Sequence, residues 1–437
     1  MMNEKLDPHE MEGLKRRVEK KPSLLTFAFA LLALFLGAVL LTPITGKVRR
    51  KLGLAKPLKA PEPEIVYRTE TVVETEVVEK EVRVIPKYYT VKKGTDIAKS
   101  SMGFDFRSEV VERPGRLTAE ERATPGSFEA NYTLSVNKPV ASSTFEEVVG
   151  VNEHLPKILP GLEKMMAAPV VSPFFDKLYE NKFERLKSRI NRMDRILTKH
   201  NYYDCQTMLE LVHPDSQQKV FLLQGDMDVV SDGSDGDRLP TMPDEIVNSP
   251  YYQSSTSYAW NKLGSVQNPL IPGTKRRLAK ARSEGNTGEV RRLEAEIEDM
   301  QKRSFLIADY DPFIVMPVYL VQDRESPFGP NIGDYVAVIY GDKIYPAIVG
   351  DAGPSFKVGE GSLRMAKQIN DKSSAYRRPV SDVSVTYVVF PRTSGKWQPP
   401  NYAAWRQEVS TLLESIGGLG EGYELHTWEN TLPSSGQ

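Results

Sequence analysis

Residues 335–349 read Tyr-Val-Ala-Val-Ile-Tyr-Gly-Asp-Lys-Ile-Tyr-Pro-Ala-Ile-Val and contain two β-rich runs, at 335–340 and 344–349. Similar short runs occupy 219–224, 313–320 and 383–390, and turns containing Gly, Pro or Asp separate them. Short β-rich runs with turns of this kind are typical of a compact barrel or sandwich. The sequence therefore predicts a mainly β module over 201–400.

Two helical segments accompany this β-rich region. Apolar residues from Phe175 to Leu197 recur at spacings of three and four with charged residues between them, which predicts an amphipathic helix over 174–198. The apolar stripe is expected to pack onto the module that follows, with self-association through a coiled coil as the alternative. A charged helical hairpin is predicted as an insertion at about 268–304.

A long uncharged stretch, 24–41, lies near the N-terminus and is about long enough to cross a bilayer. Arg49, Arg50 and Lys51 follow it, whereas a cleaved secretory signal should end in small residues. One uncleaved transmembrane helix is therefore expected over 23–43. Basic residues lie on both sides of the stretch, so charge alone leaves its orientation open.

These patterns predict a chain of consecutive parts. They are an N-terminal tail (1–22), the anchor (23–43), a stalk and linker (44–143), a helical N-terminal extension (144–200), the β-rich module (201–400) and a C-terminal helix with a disordered tail (401–437).

Composition excludes several classes of function. The 437 residues carry a formal net charge of -1, which provides no overall basic field for nucleic acid. Cys205 is the single cysteine, so no intramolecular disulfide can form, and the five scattered histidines leave no Cys/His zinc cluster. The sequence also lacks a nucleotide-binding glycine motif and a serine-hydrolase elbow. We predict no cofactor and no metal site.

The densest acidic stretch, 225–237, directly follows a predicted strand. It contains Asp226, Asp228, Asp232, Asp235 and Asp237. Like charges this close repel one another, so the stretch should bind a cation, receive a cationic substrate or form a solvated turn. Val230 occupies the fifth position of the EF-hand pattern, where a ligand belongs, and spacing alone does not decide among the three alternatives.

A second pair of carboxyl groups, Asp351 and Glu360, follows the predicted strand at 344–349. Hydrolysis of a glycosidic bond needs two such groups, one protonated to assist the leaving oxygen and one ionised to activate water or attack carbon. A structural interpretation is also available, because Ser362 could cap a short helix with Glu360 near the helix dipole. On spacing alone the structural interpretation is favoured.

Several motifs occur in a fixed order along the chain. They are Asp226-Met-Asp228, Ser249-Pro-Tyr-Tyr-Gln-Ser-Ser-Thr-Ser-Tyr-Ala-Trp260, Asp311-Pro-Phe-Ile-Val-Met-Pro317, Gly333-Asp-Tyr-Val-Ala-Val-Ile-Tyr340, Ile348-Val-Gly-Asp-Ala-Gly-Pro354, Gly359-Glu-Gly-Ser362 and Val385-Thr-Tyr-Val-Val-Phe390. In content and order they resemble the fungal-type chitosanases of glycoside hydrolase family 75, over about 202–391.

The resemblance implies a small β-barrel core, of the double-psi type, and an endo-acting glycosidase that inverts the anomeric centre of β-1,4-linked chitosan. The family's essential acidic residues fall on Asp351 and Glu360, and the sequence does not decide which is the acid and which the base. The insertion at 268–304 and the loop between the two carboxylates depart from the family pattern.

A chitosan-like substrate fits the acidic stretch from Asp226 to Asp237, because its ammonium groups would be attracted there. Tyr252, Tyr258 and Trp260 are candidates for stacking on sugar rings, with a core role as the alternative.

A polysaccharide substrate would also place the module outside the cytoplasm and the tail 1–22 inside, as in a single-pass membrane protein. The rival functions are a non-catalytic polysaccharide-binding protein of the cell envelope and a calcium-stabilised structural module.

Overall fold

The computed structural model describes residues 65–71, 77–83, 110–131, 133–192, 196 and 198–433. The strands are β1 (Ile65–Thr71), β2 (Val77–Arg83), β3 (Val170–Val171), β4 (Cys205–Val212), β5 (Lys219–Val230), β6 (Ala259–Asn261), β7 (Arg303–Phe305), β8 (Phe313–Pro317), β9 (Tyr335–Tyr340), β10 (Lys343–Gly353), β11 (Glu360–Ser362) and β12 (Val380–Val389). The helices are α1 (Thr118–Ala123), α2 (Phe145–Val151), α3 (Leu155–Ile158), α4 (Leu162–Met165), α5 (Pro173–Asn191), α6 (Asp244–Val247), α7 (Ile271–Ser283), α8 (Thr287–Lys302), α9 (Val318–Val321), α10 (Leu363–Ile369) and α11 (Tyr402–Glu414).

Six strands form a closed barrel in the order β11-β8-β10-β9-β12-β5, and pairing of β11 with β5 closes the ring. The pairs β8–β10 and β5–β11 are parallel, and the other neighbours in the ring are antiparallel. Strands β4 and β3 extend the sheet beyond β5. The predicted mainly β class with a small barrel is confirmed, and its double-psi topology stays a prediction.

The barrel core follows from the alternation of side chains along each strand. On β8, Ile314 and Met316 face the interior, where they pack with Met227 of β5 and Val349 of β10. The neighbouring positions face outward. On β9 and β12 these outward positions are apolar too, and helices α2, α3, α4 and α11 cover them in a second buried cluster.

Helix α5 packs against the barrel. It begins at Pro173, and the Ser172 side chain caps it by accepting a hydrogen bond from the Phe174 N–H. Its buried apolar residues, among them Leu178 and Tyr179, join the main core. Because the stripe is covered within the chain, self-association over 174–198 is not supported in the described part of this helix.

Helices α7 and α8 form the hairpin inserted between β6 and β7. Leu278 of α7 packs against Leu293 and Ile297 of α8 in a separate small core. The hairpin therefore stabilises itself without contributing to the barrel interior.

No helix within the described residues is long and apolar enough to cross a membrane. The longest, α5, carries Asp, Glu, Lys and Arg throughout its 19 residues. This finding contradicts the predicted localisation as a single-pass membrane protein. It also leaves the predicted membrane partner unsupported. The predicted anchor at 23–43 itself lies outside the described residues.

Candidate active site

Three carboxylates lie in one row across the outer face of the barrel. Asp228 of β5 pairs with Glu360 of β11, Glu360 pairs with Val315 of β8, and Val315 pairs with Asp351 of β10. Residues paired across neighbouring strands direct their side chains to the same face. Neighbouring strands are about 4.8 Å apart, so the backbones of Asp351 and Glu360, separated by one strand, lie about 10 Å apart.

A bulge in β10 brings Asp351 to this face. Ala347 and Val349 face the barrel interior, and strict alternation would send position 351 inward as well. The register shifts between Val349 and Asp351, which leaves Gly350 as the extra residue and places Asp351 outward beside Val315. Only glycine fits here, because a Cβ on Gly350 would lie 2.6 Å from the Phe313 ring.

Asp351 is held by hydrogen bonds to one of its two oxygens. The Ser257 N–H and hydroxyl donate to Oδ1 at 2.8 and 2.6 Å, and the Ala352 N–H donates at 2.8 Å. Burial raises the pKa of Asp351 above its ordinary value, and these hydrogen bonds partly oppose the rise. The carboxyl group is therefore oriented by its neighbours, and burial favours its protonated form.

Glu360 is buried and shares a cation with Asp228. Lys357, in the loop between β10 and β11, forms ion pairs with Glu360 and, at 3.1 Å, with Asp228. Burial raises the pKa of Glu360, while the ammonium group of Lys357 acts to lower it. Glu360 Oε2 also lies beside Gly353, where a Cβ would be 3.0 Å away.

Asp228 has further partners around its carboxylate. His200 Nε2 lies 3.0 Å from Asp228 Oδ2, and Arg378 Nε lies 3.7 Å from Oδ1. Arg378 also pairs with Asp226. The site therefore combines carboxylates with His200, Lys357 and Arg378, so its negative charge is partly compensated.

Asp232 lies beyond the end of β5 and is buried. Its Oδ1 accepts a hydrogen bond from the Gln253 N–H at 2.8 Å. Burial raises the pKa of Asp232 to about 8, and the nearby carboxylates Asp351 and Glu360 contribute to the rise. Asp232 is thus a further carboxyl group beside the row of three, and its raised pKa favours the protonated form at neutral pH.

The rest of the acidic stretch holds the fold together. Asp235 is fully buried and pairs at 2.6 Å with Arg238, which also pairs with Asp311. Asp237 accepts hydrogen bonds from two backbone N–H groups of the loop after β6. The five aspartates therefore divide into Asp226, Asp228 and Asp232 near the site, and Asp235 and Asp237 in structural contacts.

The predicted aromatic residues are largely covered. Tyr258 and Trp260 are each only 5% exposed and belong to the apolar cluster beneath the site. Tyr252 is half-buried, and its hydroxyl donates to the Gly233 carbonyl. Trp397, in contrast, is 37% exposed and stacks on Tyr258 with ring centroids 5.2 Å apart. Trp397 therefore offers an accessible aromatic face beside Tyr258, whose chain neighbour Ser257 binds Asp351.

Several residues around the site were missed by reasoning from the sequence. Lys357 lies between Asp351 and Glu360 in the sequence, and this position could have identified it as a residue of the site. His200, Arg378 and Trp397 lie far from that motif along the chain, and only the fold brings them close.

A cleft of about 1390 Å³ lies elsewhere, between the helical hairpin and the loop 247–255. Its lining includes Arg276, Arg277, Arg292, Lys302 and Arg303. Glu296, Glu298 and Asp299 also line the cleft and pair with several of these basic residues, which leaves only a modest excess of positive charge. The carboxylate row therefore suits a cationic polymer better than this cleft does. Within the described residues, no group of three or more His, Cys, Asp or Glu is placed to hold a metal ion.

Residues 227–423 match the family model described as fungal chitosanase of glycosyl hydrolase group 75. The match confirms the resemblance predicted from the sequence motifs, and it supports a chitosan-degrading glycoside hydrolase. A comparison with curated proteins found no significant match. The matched region contains Asp228, Glu360 and Asp351, and it begins after α5 and β4.

Proposed function

We propose, from the family match over residues 227–423, that this protein hydrolyses β-1,4 bonds within chitosan by an inverting mechanism, with Asp351 and Glu360 as the acid and base. The observation that carries the proposal is the row of carboxylates on the outer barrel face. In it Val315 alone separates Asp351 from Glu360.

The spacing of the pair is compatible with inversion. Inverting glycosidases keep their carboxyl groups about 6.5 to 9.5 Å apart, so that a water molecule fits between the base and the sugar. Asp351 and Glu360 lie on one face with their backbones about 10 Å apart, a separation from which their carboxyl groups can reach that range. Retaining enzymes need a closer pair, at about 5 Å.

The charges and the exposed aromatic residue support a glucosamine polymer as substrate. Asp226 and Asp228 would attract ammonium groups along the chain of sugars, whereas Asp232, predicted from the sequence to share this role, is uncharged while it is protonated. Trp397 would stack on a sugar ring, a role that burial disfavours for Tyr258 and Trp260.

The test is product release from soluble chitosan by the full chain and by the variants Asp351→Asn and Glu360→Gln. We expect each variant to lose at least about 100-fold in kcat, because general acid–base catalysis supplies about that much or more. Asp382→Asn, an exposed carboxylate on β12, is the matched control and should retain parent activity. Thermal unfolding of each variant verifies folding.

Three outcomes separate the alternatives. Parent-like activity in either site variant would remove that residue from the pair. First-formed products with retained anomeric configuration would exclude inversion. A folded parent that binds chitosan without cleaving it would favour the non-catalytic polysaccharide-binding alternative.

A further inference from the structure

The two proposed catalytic carboxyl groups differ in their contacts with cations. Glu360 pairs with Lys357, whose side chain is 14% exposed and whose ammonium group also contacts Asp228. Asp351 receives hydrogen bonds from Ser257 and Ala352, and no lysine or arginine within the described residues forms an ion pair with it. Burial raises the pKa of both groups, and of the two only Glu360 has an ammonium group in contact that opposes the rise.

The loop that carries Lys357 is fixed by helix α5. The Asn181 side chain donates to the Ser355 carbonyl at 3.0 Å, and the Lys182 ammonium donates to the Phe356 carbonyl at 2.7 Å. The Arg185 guanidinium lies 3.7 Å from the centre of the Phe356 ring. These contacts hold the two residues immediately before Lys357.

The other end of the loop is fixed by the barrel. Gly359 has a φ of +70°, and a Cβ there would lie 2.1 Å from the Asp226 carbonyl oxygen, so only glycine fits. Its own carbonyl accepts a hydrogen bond from the Asp228 N–H at 2.6 Å. Lys357 is thus held between two fixed points, and its ammonium group is directed at Glu360.

Building on the hydrolase function above, we propose that Lys357 is a positioning residue that keeps Glu360 ionised, which makes Glu360 the general base and Asp351 the general acid. Glu360 takes a proton from the attacking water while the oxygen of that water bonds to the anomeric carbon. Asp351 gives its proton to the glycosidic oxygen as the bond between that oxygen and the anomeric carbon breaks. Glu360 then releases one proton to solvent and Asp351 takes one up, so both groups return to their starting protonation states.

Other charged or titratable groups near Glu360 oppose the effect of Lys357 on the pKa of Glu360. Asp228 and Asp351 raise the pKa of Glu360, and burial raises it most. Asp232 and Tyr387 also interact with the Glu360 charge, each from its own element. Removal of Lys357 would therefore leave Glu360 buried among acidic neighbours, and its pKa would rise.

The test is the pH dependence of kcat/KM on soluble chitosan for the parent, Lys357→Met and Lys357→Arg. A base must be ionised to act, so the acid limb should move upward by about one to three pH units in Lys357→Met. Lys357→Arg keeps the positive charge, so the acid limb of its profile should lie at the same pH as in the parent. Lys367→Met, which removes a lysine paired with Asp309 away from the row, is the control and should match the parent.

A direct titration of the parent protein tests the proposal without relying on the folding of any variant. Carboxyl carbon NMR of the parent should show Glu360 ionising at lower pH than Asp351. An unmoved acid limb in folded Lys357→Met, or the reverse order of ionisation, would overturn the assignment to Lys357 while leaving the hydrolase in place. A parent without chitosanase activity would instead overturn the proposed function.

Discussion

Asp232 illustrates how a single buried carboxyl group makes stability depend on pH. Its pKa is raised from 3.8 to about 8, first by burial and also by Asp351 and Glu360, with the Gln253 N–H opposing the rise. The unfolded chain ionises this group near pH 3.8, whereas the folded protein keeps it protonated until about pH 8. Stability from this residue is therefore complete at low pH and falls as the pH rises from 3.8 to about 8.

We predict that Asp232→Asn stabilises the protein and removes this part of its pH dependence. The amide stays neutral at every pH, so the gain should be small near pH 4 and on the order of 6 kcal/mol above pH 8. Denaturant unfolding at several pH values measures it. Asp382→Asn, at an exposed position, should show no comparable gain. An equal effect at all pH values would contradict the explanation.

At the site, the sequence predicted residue types better than it predicted their surroundings. Asp351 and Glu360 were identified by motif, yet their placement on either side of Val315 depends on strand pairing across the barrel. Asp235 and Asp237 look like Asp228 in sequence, and only their tertiary partners give them structural roles. Nonlocal contacts of this kind leave no signal in local spacing.

The bulge in β10 shows how a strand irregularity can orient a side chain that local sequence could not place. The strands at 335–340 and 344–349 were predicted because their apolar and β-branched pattern is local. The bulge at Gly350 depends on the Phe313 ring, which belongs to another strand. The three-residue strand β11 was also missed, since it is too short for a pattern and forms only by closing the ring.

We predict that Gly350→Ala destabilises the protein by about 1 to 3 kcal/mol, because its Cβ would overlap the Phe313 ring and overpack the cluster. Activity per folded molecule should fall too, since the bulge directs Asp351 outward. Gly395→Ala is a suitable control, because a Cβ there meets no atom within 4 Å. Denaturant unfolding and kcat measure the two effects, and equal behaviour of the two variants would contradict the prediction.

Helix α5 is joined to the segment before β4 by a buried ion pair. Lys182 and Asp204 lie 2.7 Å apart and are almost fully buried. We predict that Lys182→Met costs about 3 to 5 kcal/mol, because Asp204 would be left as an uncompensated buried charge. Adding Asp204→Asn should recover part of that loss. A double variant no more stable than Lys182→Met would show that the ion pair is not the cause.

For the whole molecule, the region of family similarity is smaller than the structural unit. The match begins at residue 227, inside β5, whereas helix α5 and strand β4 precede it and pack on the barrel. A fragment of residues 227–423 would cut a central strand and expose the face that α5 covers.

We predict that a fragment of residues 141–433 folds cooperatively and that a fragment of residues 227–423 does not. Circular dichroism during thermal unfolding distinguishes them, since a folded barrel should give a single sharp transition. A sharp transition in the shorter fragment would show that α5 and β4 are dispensable for folding.

Electrostatic attraction to the substrate should come from the site, because the net charge of the chain is only -1. We predict that KM for chitosan rises several-fold between about 0.1 M and about 1 M salt, as screening shortens the reach of the carboxylates. Binding of an uncharged chitin oligomer should show little salt dependence and serves as the control. A KM insensitive to salt would argue against an electrostatic contribution to binding.

The strand that closes the barrel, β11, has only three residues, and the first of them is Glu360. Its hydrogen bonds to β5 and β8 both complete the ring and fix one proposed catalytic carboxylate. Short segments fray at a lower free energy than the whole domain unfolds. Transient fraying of β11 would therefore abolish activity while the remaining sheet stays intact. On warming, catalysis should fade reversibly before global melting, with amide exchange at Gly361 faster than at β9.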